Sequence, residues 1–187
     1  GREVLMLPHT TEPAKAWSSA EMHLADFIFM HATVRGAVSE SGQELDGIPP
    51  SLLATAKRAK IYSGDIHVPQ TVGKVEYIGA PYPVRFGDSF EPRAILLENY
   101  RKSHSLLIPH IRRLTLVIDA THRRQAKPGA FDLRKGDQVK ARIRLTPSEY
   151  GDWNELKRVV VSVCKAAGAE LCGIELERVA QKIKIQP

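Results

Sequence analysis

Only two cysteines occur in 187 residues, Cys164 and Cys172, too few for a disulfide framework. They stand in an apolar region, where buried free thiols are expected. No apolar run approaches the roughly 18–20 residues of a membrane span. The longest, around "VVVSVCKAAGA", is broken by Lys165. No basic-then-apolar leader ending in small residues opens the chain. These absences argue against secretion and membranes, and point to a cytoplasmic protein. Also missing are a GxxxxGK[ST] loop, a Rossmann glycine pattern, a GxSxG elbow and a CxxC pair. Nucleotide binding through a P-loop and hydrolysis through a serine triad therefore lack local support. There is no internal repeat, no low-complexity segment and no initiator Met. After Gly1-Arg2-Glu3 the chain enters "VLML" at once. Strand chemistry this early is expected of a chain that begins inside a larger domain, although a tag remnant would look the same.

What is present is ordinary in amount and uneven in placement. Hydrophobic residues make up 43% and charged residues 26%, a balance that suits one large domain or two small ones. The net charge of +6 is concentrated. Residues 1–111 hold 11 Lys/Arg and 12 Asp/Glu, whereas residues 112–187 hold 16 and 9. A neutral half joined to a basic half favours a polyanionic partner; a solvated charged surface is the plainer alternative.

In the first half, strand-like and helix-like stretches alternate. "EVLML", "FIFMHATV" and "KIYSGDIHV" read as buried strands. Between them lie "SSAEMHLAD", a short helix capped by Ser18 or Ser19, and "SLLATAKRA", a short helix packing Leu52, Leu53 and Ala56. This order predicts a layered α/β domain over residues 1–111. "RAILLENY" and "SHSLLIPHIRRLTLVID" read as strands joined by a basic turn, and a domain boundary is expected near Ile111. Residues 112–187 read as a compact α+β unit. In "DQVKARIRL", Val139, Ala141, Ile143 and Leu145 alternate with Lys140, Arg142 and Arg144, giving one apolar and one cationic face. Thr146, Pro147 and Glu149 form a capping box, and Asp152 with Glu155 offers a second helix start. The helix runs through "WNELKRVVVSVCKAA" with Trp153, Leu156, Val160 and Val163 on one face, to a stop at Gly168. "ELCGIELERV" closes the unit as a strand.

The chemistry-bearing residues gather at strand ends. His31 follows "FIFM", and Asp65 and His67 follow "KIYSG". In an extended chain residues i and i+2 project to one side, so Asp65 and His67 can face one cavity. If the strands are neighbours, His31 reaches the same region. Imidazole with carboxylate suits Mn²⁺, Zn²⁺ or Fe²⁺, and harder oxygen donors shift the preference toward Mn²⁺ or Mg²⁺. The alternative is a turn in which Gly64 and Asp65 supply backbone geometry and His67 is incidental.

"FIFMHATV", "YSGDIHVPQ" and "VEYIGAPYPVRFGD" together resemble the calcineurin-like metallophosphoesterases, in particular the SbcD-like nuclease subunits of DNA break repair. The likeness is strongest over about residues 25–100. It runs through His31, then Gly64-Asp65-Ile66-His67 with Pro69-Gln70, then Gly79-Ala80-Pro81 and Phe86-Gly87-Asp88. Asp65 stands where the family commonly has histidine, and the family's earlier Asp-x-His, Gly-Asp-x-x-Asp and Gly-Asn-His motifs are absent. A competing alignment makes Asp65-x-His67 the family's first motif. It fits less well, because Gly87-Asp88 is followed by Glu91 and no Asn-His pair occurs.

The resemblance implies the C-terminal part of a layered metallophosphoesterase β-sandwich flanked by helices, followed by a small α+β capping domain that contacts DNA. It implies a phosphodiesterase acting on DNA through two Mn²⁺ ions, with Mg²⁺ as the substitute. His31, Asp65 and His67 are then metal ligands, and His9, in "LPHTT", is a substrate-side or structural residue. The DNA-contacting candidates are Arg112, Arg113, Arg123, Arg124, Lys140, Arg142 and Arg144, giving salt-dependent binding without base readout. An SbcC-like coiled-coil ATPase is the implied partner, and a homodimer stays open. For the chain by itself weak Mn²⁺ binding without turnover is expected. Two alternatives stand beside this reading: a non-catalytic fragment that binds DNA or a partner, and a metallophosphoesterase for nucleotides or phosphoproteins.

Overall fold

The computed structural model of the chain describes residues 1–98, 102–123 and 129–179. It divides into two compact units, residues 1–84 with 89–110, and residues 85–88 with 111 onward. The architecture is mixed α/β, with several sheets and few helices.

The first unit is built on β1 (Val4–Met6), β2 (Phe27–Met30), β3 (Lys60–Ser63), β4 (Gln70–Val72) and β5 (Val75–Tyr77), in the order β1-β2-β3-β5-β4. β1, β2, β3 and β5 are parallel, while β4 pairs antiparallel with β5. Near-continuous apolar strands are what a parallel sheet requires, because both of its faces are covered. Ile28, Met30, Ile61, Val75 and Tyr77 enter one core with Trp17, Met22, Val34 and Leu53. Met22 comes from α2 (Ser19–Leu24), whose cap is Ser18, accepting from the Glu21 N–H at 3.3 Å. A one-turn helix, α1 (Pro13–Ala16), precedes it and was not legible in the sequence; Pro13 presets its first φ. The helix expected over "SLLATAKRA" is only a 3₁₀ turn, Pro50–Leu53. Its bonds run three residues back, Ala54 N–H to Ser51 at 3.1 Å and Ala56 N–H to Leu53 at 3.2 Å, the spacing of the tighter helix.

β6 (Arg93–Glu98) and β7 (Lys102–Leu107) form an antiparallel hairpin. Arg93 ties it to the sheet: its guanidinium donates to the carbonyls of Tyr77 and Ile78 at 3.1 Å each and meets Glu76 at 3.2 Å. The continuous strand expected over "SHSLLIPHIRRLTLVID" is interrupted at residues 108–112, where Pro109 has no N–H to give a ladder.

The second unit holds β8 (Arg113–Asp119), β9 (Gln138–Leu145) and β10 (Glu170–Arg178), parallel in the order β10-β9-β8. α3 (Trp153–Ala167) crosses from β9 to β10 and ends at Gly168, φ +68°. The expected α+β unit is thus a parallel sheet with a crossover helix. Val139, Ala141, Ile143 and Leu145 pack on Leu156, Val160 and Cys164, as the alternation predicts. Cys172, however, is exposed, because its strand is irregular between Leu171 and Gly173. The start of β9 is fixed by a buried carboxylate. Asp137 accepts from Arg112 Nε at 2.9 Å and Nη2 at 2.5 Å and from the Arg134 N–H at 2.7 Å. Arg112 also donates to Asp132 Oδ2 at 3.1 Å.

Removing one member of a buried pair strands the other, so Arg112→Ala should destabilise the second unit by about 3 kcal/mol. Urea denaturation followed through Trp153 reads that unit, and an unchanged midpoint would refute the role. Burial pushes the Asp137 carboxyl up, but the bonds from Arg112 and Arg134 outweigh it and hold the group below its ordinary value. Its contribution is therefore complete above the unfolded value, about 3.9, and is lost as pH falls through the lower folded one. Trp153-monitored stability should fall below about pH 4, and less steeply in Asp137→Asn.

Candidate functional site

β2 and β3 are in register at Met30 and Ser63, so the residues that follow them leave the sheet side by side at its C-terminal edge. His31 Nδ1 lies 3.2 Å from Asp65 Oδ1, and the Thr33 hydroxyl donates to Asp65 Oδ2. The sequence draws the strand "FIFMHATV" through His31, but β2 stops at Met30 because the next backbone groups turn to side-chain partners. The Ala32 carbonyl accepts from Ser63 Oγ at 3.0 Å and from Tyr77 Oη at 3.2 Å. Tyr77 Oη in turn accepts from the Val34 N–H at 2.7 Å, and Ser63 Oγ accepts from the Ala32 N–H at 3.3 Å. Tyr77 is fully buried. Burial pushes its phenol up, the Val34 N–H pulls it down, and the Asp65 charge pushes it up again. It stays a neutral donor. Gly47 closes the loop from the other side: a Cβ there would lie 2.4 Å from the Thr33 carbonyl oxygen. His9 Nδ1 donates to the His31 carbonyl at 3.1 Å, and the two rings meet edge to face at 6.3 Å.

His67 is positioned differently. Its Nδ1 lies 2.9 Å from Glu40 Oε1, close enough for an ion pair but without an aligned hydrogen bond. The Gln70 side chain brings Glu40 there. It accepts from the Val38 N–H at 2.9 Å and donates to the Val38 carbonyl at 2.7 Å, pinning the hairpin that carries Glu40. Gly79, φ +88°, leaves room for the same segment; a Cβ would stand 2.6 Å from Pro69 Cγ and 2.9 Å from the His67 carbonyl oxygen. His31 and Asp65 are thus joined, and His67 is paired with Glu40 instead. Among the described residues, no group of three or more His, Cys, Asp or Glu side chains could hold a metal ion. Thr33, Glu40, Ser63 and Tyr77 were not singled out in the sequence. Tyr77 and Gln70 stand inside the quoted motif stretches; nothing local marks Glu40.

The basic candidates are mostly committed. Arg112 is bound to Asp132 and Asp137, and Arg113 Nε donates to Gln138 Oε1 at 3.2 Å. Lys140 Nζ meets Glu175 at 2.6 Å, and Arg142 and Arg144 meet Glu177 at 3.6 and 3.0 Å. Arg124 lies outside the described residues, as does the Arg123 side chain. Tyr82, inside the motif stretch "VEYIGAPYPVRFGD", is 59% exposed. No helix among the described residues is long and apolar enough to cross a membrane.

Parallel strand ends bearing histidine and aspartate define the class of site. The particular likeness is to exonuclease subunit 1 of Enterobacteria phage T4, 28% identical over 86 residues. The match covers 46% of this chain and spans about a quarter, 25%, of that relative's length. It supports a nuclease-related relationship. No family profile matches the chain.

Tyr77→Phe keeps the ring and removes the hydroxyl, leaving the buried Val34 N–H without its acceptor. The expected loss is about 1–3 kcal/mol, read as a lower urea midpoint of Trp17 fluorescence with Trp153 unaffected. No change would show that the hydroxyl does not hold the His31 loop.

Proposed function

We propose that this chain is part of a metal-dependent phosphodiesterase acting on DNA. The observation that carries the proposal is the juxtaposition of His31 and Asp65 at the C-terminal ends of adjacent parallel strands. The likeness to a phage exonuclease subunit supports the choice of substrate. By chemical type, two imidazoles and a carboxylate suit Mn²⁺, Zn²⁺ or Fe²⁺, and Mn²⁺ is the ion that the nuclease resemblance favours among them. By number, the described donors do not converge as a closed centre, since His31 meets Asp65 while His67 meets Glu40, so this reading requires further ligands and a closer approach of His67. His31, Asp65 and His67 are the residues that would hold metal. A bound pair of such ions supplies charge neutralisation at a phosphodiester and an activated water. The chain's own contribution is orientation. Thr33 fixes the second oxygen of Asp65, the Glu40 carboxylate stands beside His67 Nδ1 and leaves Nε2 for a ligand, and His9 braces the backbone of His31.

The incomplete donor set favours a second reading for the isolated chain, that of a binding fragment without turnover. Mn²⁺ titration of the 187-residue chain by calorimetry should give weak binding. Asp65→Ala combined with His67→Ala should abolish it, and unchanged affinity would overturn the ligand assignment. The isolated chain should not degrade DNA with Mn²⁺ present. Efficient degradation would mean that the chain completes its own centre.

A further inference from the structure

The second unit is where positive charge is concentrated in the sequence, yet Arg112 and the cations of β9 already have acidic partners. On the outer face of the sheet, Arg142 stands in register with Glu175 and Arg144 with Glu177 and Asp119, while Lys140, opposite Gly173 and Thr115, reaches Glu175 diagonally. Their ion pairs leave that face close to neutral. Arg112 is consumed by Asp132 and Asp137.

The outward side of α3 is different. Lys157, Arg158 and Lys165 share one helical face with the half-exposed Val161, at spacings of three, four, seven and eight residues. Beside them an open groove of about 680 Å³ runs between α3 and β10, with Val161 and Ile174 among its lining residues. Among the described residues, no carboxylate lines it. Lys157 Nζ sits 5.3 Å from the Trp153 ring centroid, and Arg158 Nε donates to the Asn154 carbonyl at 3.3 Å, which leaves its terminal nitrogens for a ligand. Among the described residues, no ion pair holds any of the three cations.

We infer that this face of α3 is a contact surface for the phosphate backbone of DNA. The choice of DNA as the polyanion rests on the proposed function; the choice of surface rests on the charge pairing alone. From Lys157 to Lys165 the helix rises about 12 Å, at 1.5 Å per residue. That matches three to four nucleotides of one strand at about 3.4 Å each, enough for two or three phosphates. A second copy of the chain is a poor occupant, since a two-fold contact would set these cations against themselves. The contact carries no base readout, because lysine and arginine on an open groove meet phosphate oxygens, which are the same in every sequence.

The test is fluorescence polarisation of the 187-residue chain with labelled duplexes of unrelated sequence, in EDTA, over a range of salt. Two triple variants remove the same charge: K157Q/R158Q/K165Q on α3, and K140Q/R142Q/R144Q on β9. The α3 triple should weaken binding at least tenfold at low salt and flatten the slope of log affinity against log salt by about 2–3, near 0.9 per lost phosphate contact. The β9 triple should change affinity less than threefold. K165Q alone should flatten the slope by about one, which keeps the test open if the α3 triple melts early by circular dichroism. Equal losses in both triples, or an unchanged slope in the α3 variants, would overturn the inference. So would a wild-type chain that binds no DNA, or polyglutamate competing as well as DNA does. Because EDTA removes metal, these outcomes are independent of the Mn²⁺ titration that tests the function itself.

Discussion

The geometry of the candidate site depends on one backbone carbonyl. Ala32, the second residue past β2, has no strand partner for its carbonyl, and a buried group left in that state is costly. Two hydroxyls satisfy it, Ser63 at the end of β3 and Tyr77 at the end of β5. Because the three strands are parallel neighbours, both hydroxyls arrive at the same edge, and the bond that satisfies Ala32 also fixes the direction of His31. Asp65 follows Ser63 by two residues, so the clamp that holds the loop delivers the carboxylate to the imidazole.

A similar economy governs the approach to His67. Gln70 uses its amide as a strand would use a backbone peptide, giving and taking one bond with Val38. The hairpin so held places Glu40 against His67. Two acid–imidazole pairs result, each held by a side chain that bonds backbone on the far side of the loop. Carboxylate partners of this kind set which ring nitrogen remains outward, and so which nitrogen a metal or phosphate would meet.

In the second unit the deciding constraint is register. A parallel pairing that sets Arg142 opposite Glu175 and Arg144 opposite Glu177 turns a cationic strand face into a row of ion pairs. Exposed pairs of this sort add little stability, but they remove the local potential a polyanion would feel. Among the described residues, Lys157, Arg158 and Lys165 on α3 keep their charge outside any ion pair, and no described carboxylate lines the groove beside them.

Much of this was legible in the residues. The apolar strands, the Ser18 cap, the box at Thr146, the stop at Gly168 and the alternation of β9 each follow from local chemistry, and they appear where that chemistry puts them. The end-of-strand positions of His31 and Asp65 were legible for the same reason. The one-turn α1, the 3₁₀ turn at Pro50–Leu53 and the break near Pro109 were not, since each turns on a single bond or a single missing N–H. Nor could the sequence announce that Glu40 would meet His67, or that Glu175 and Glu177 would take the charges of β9. Those partners lie 27 or more positions apart along the chain, and only strand order and register bring them together. The sequence by itself determined which segments are strands and which side chains carry chemistry, because those depend on neighbours in the chain. Which acid faces which base was decided by the tertiary structure, because that depends on neighbours across the sheet.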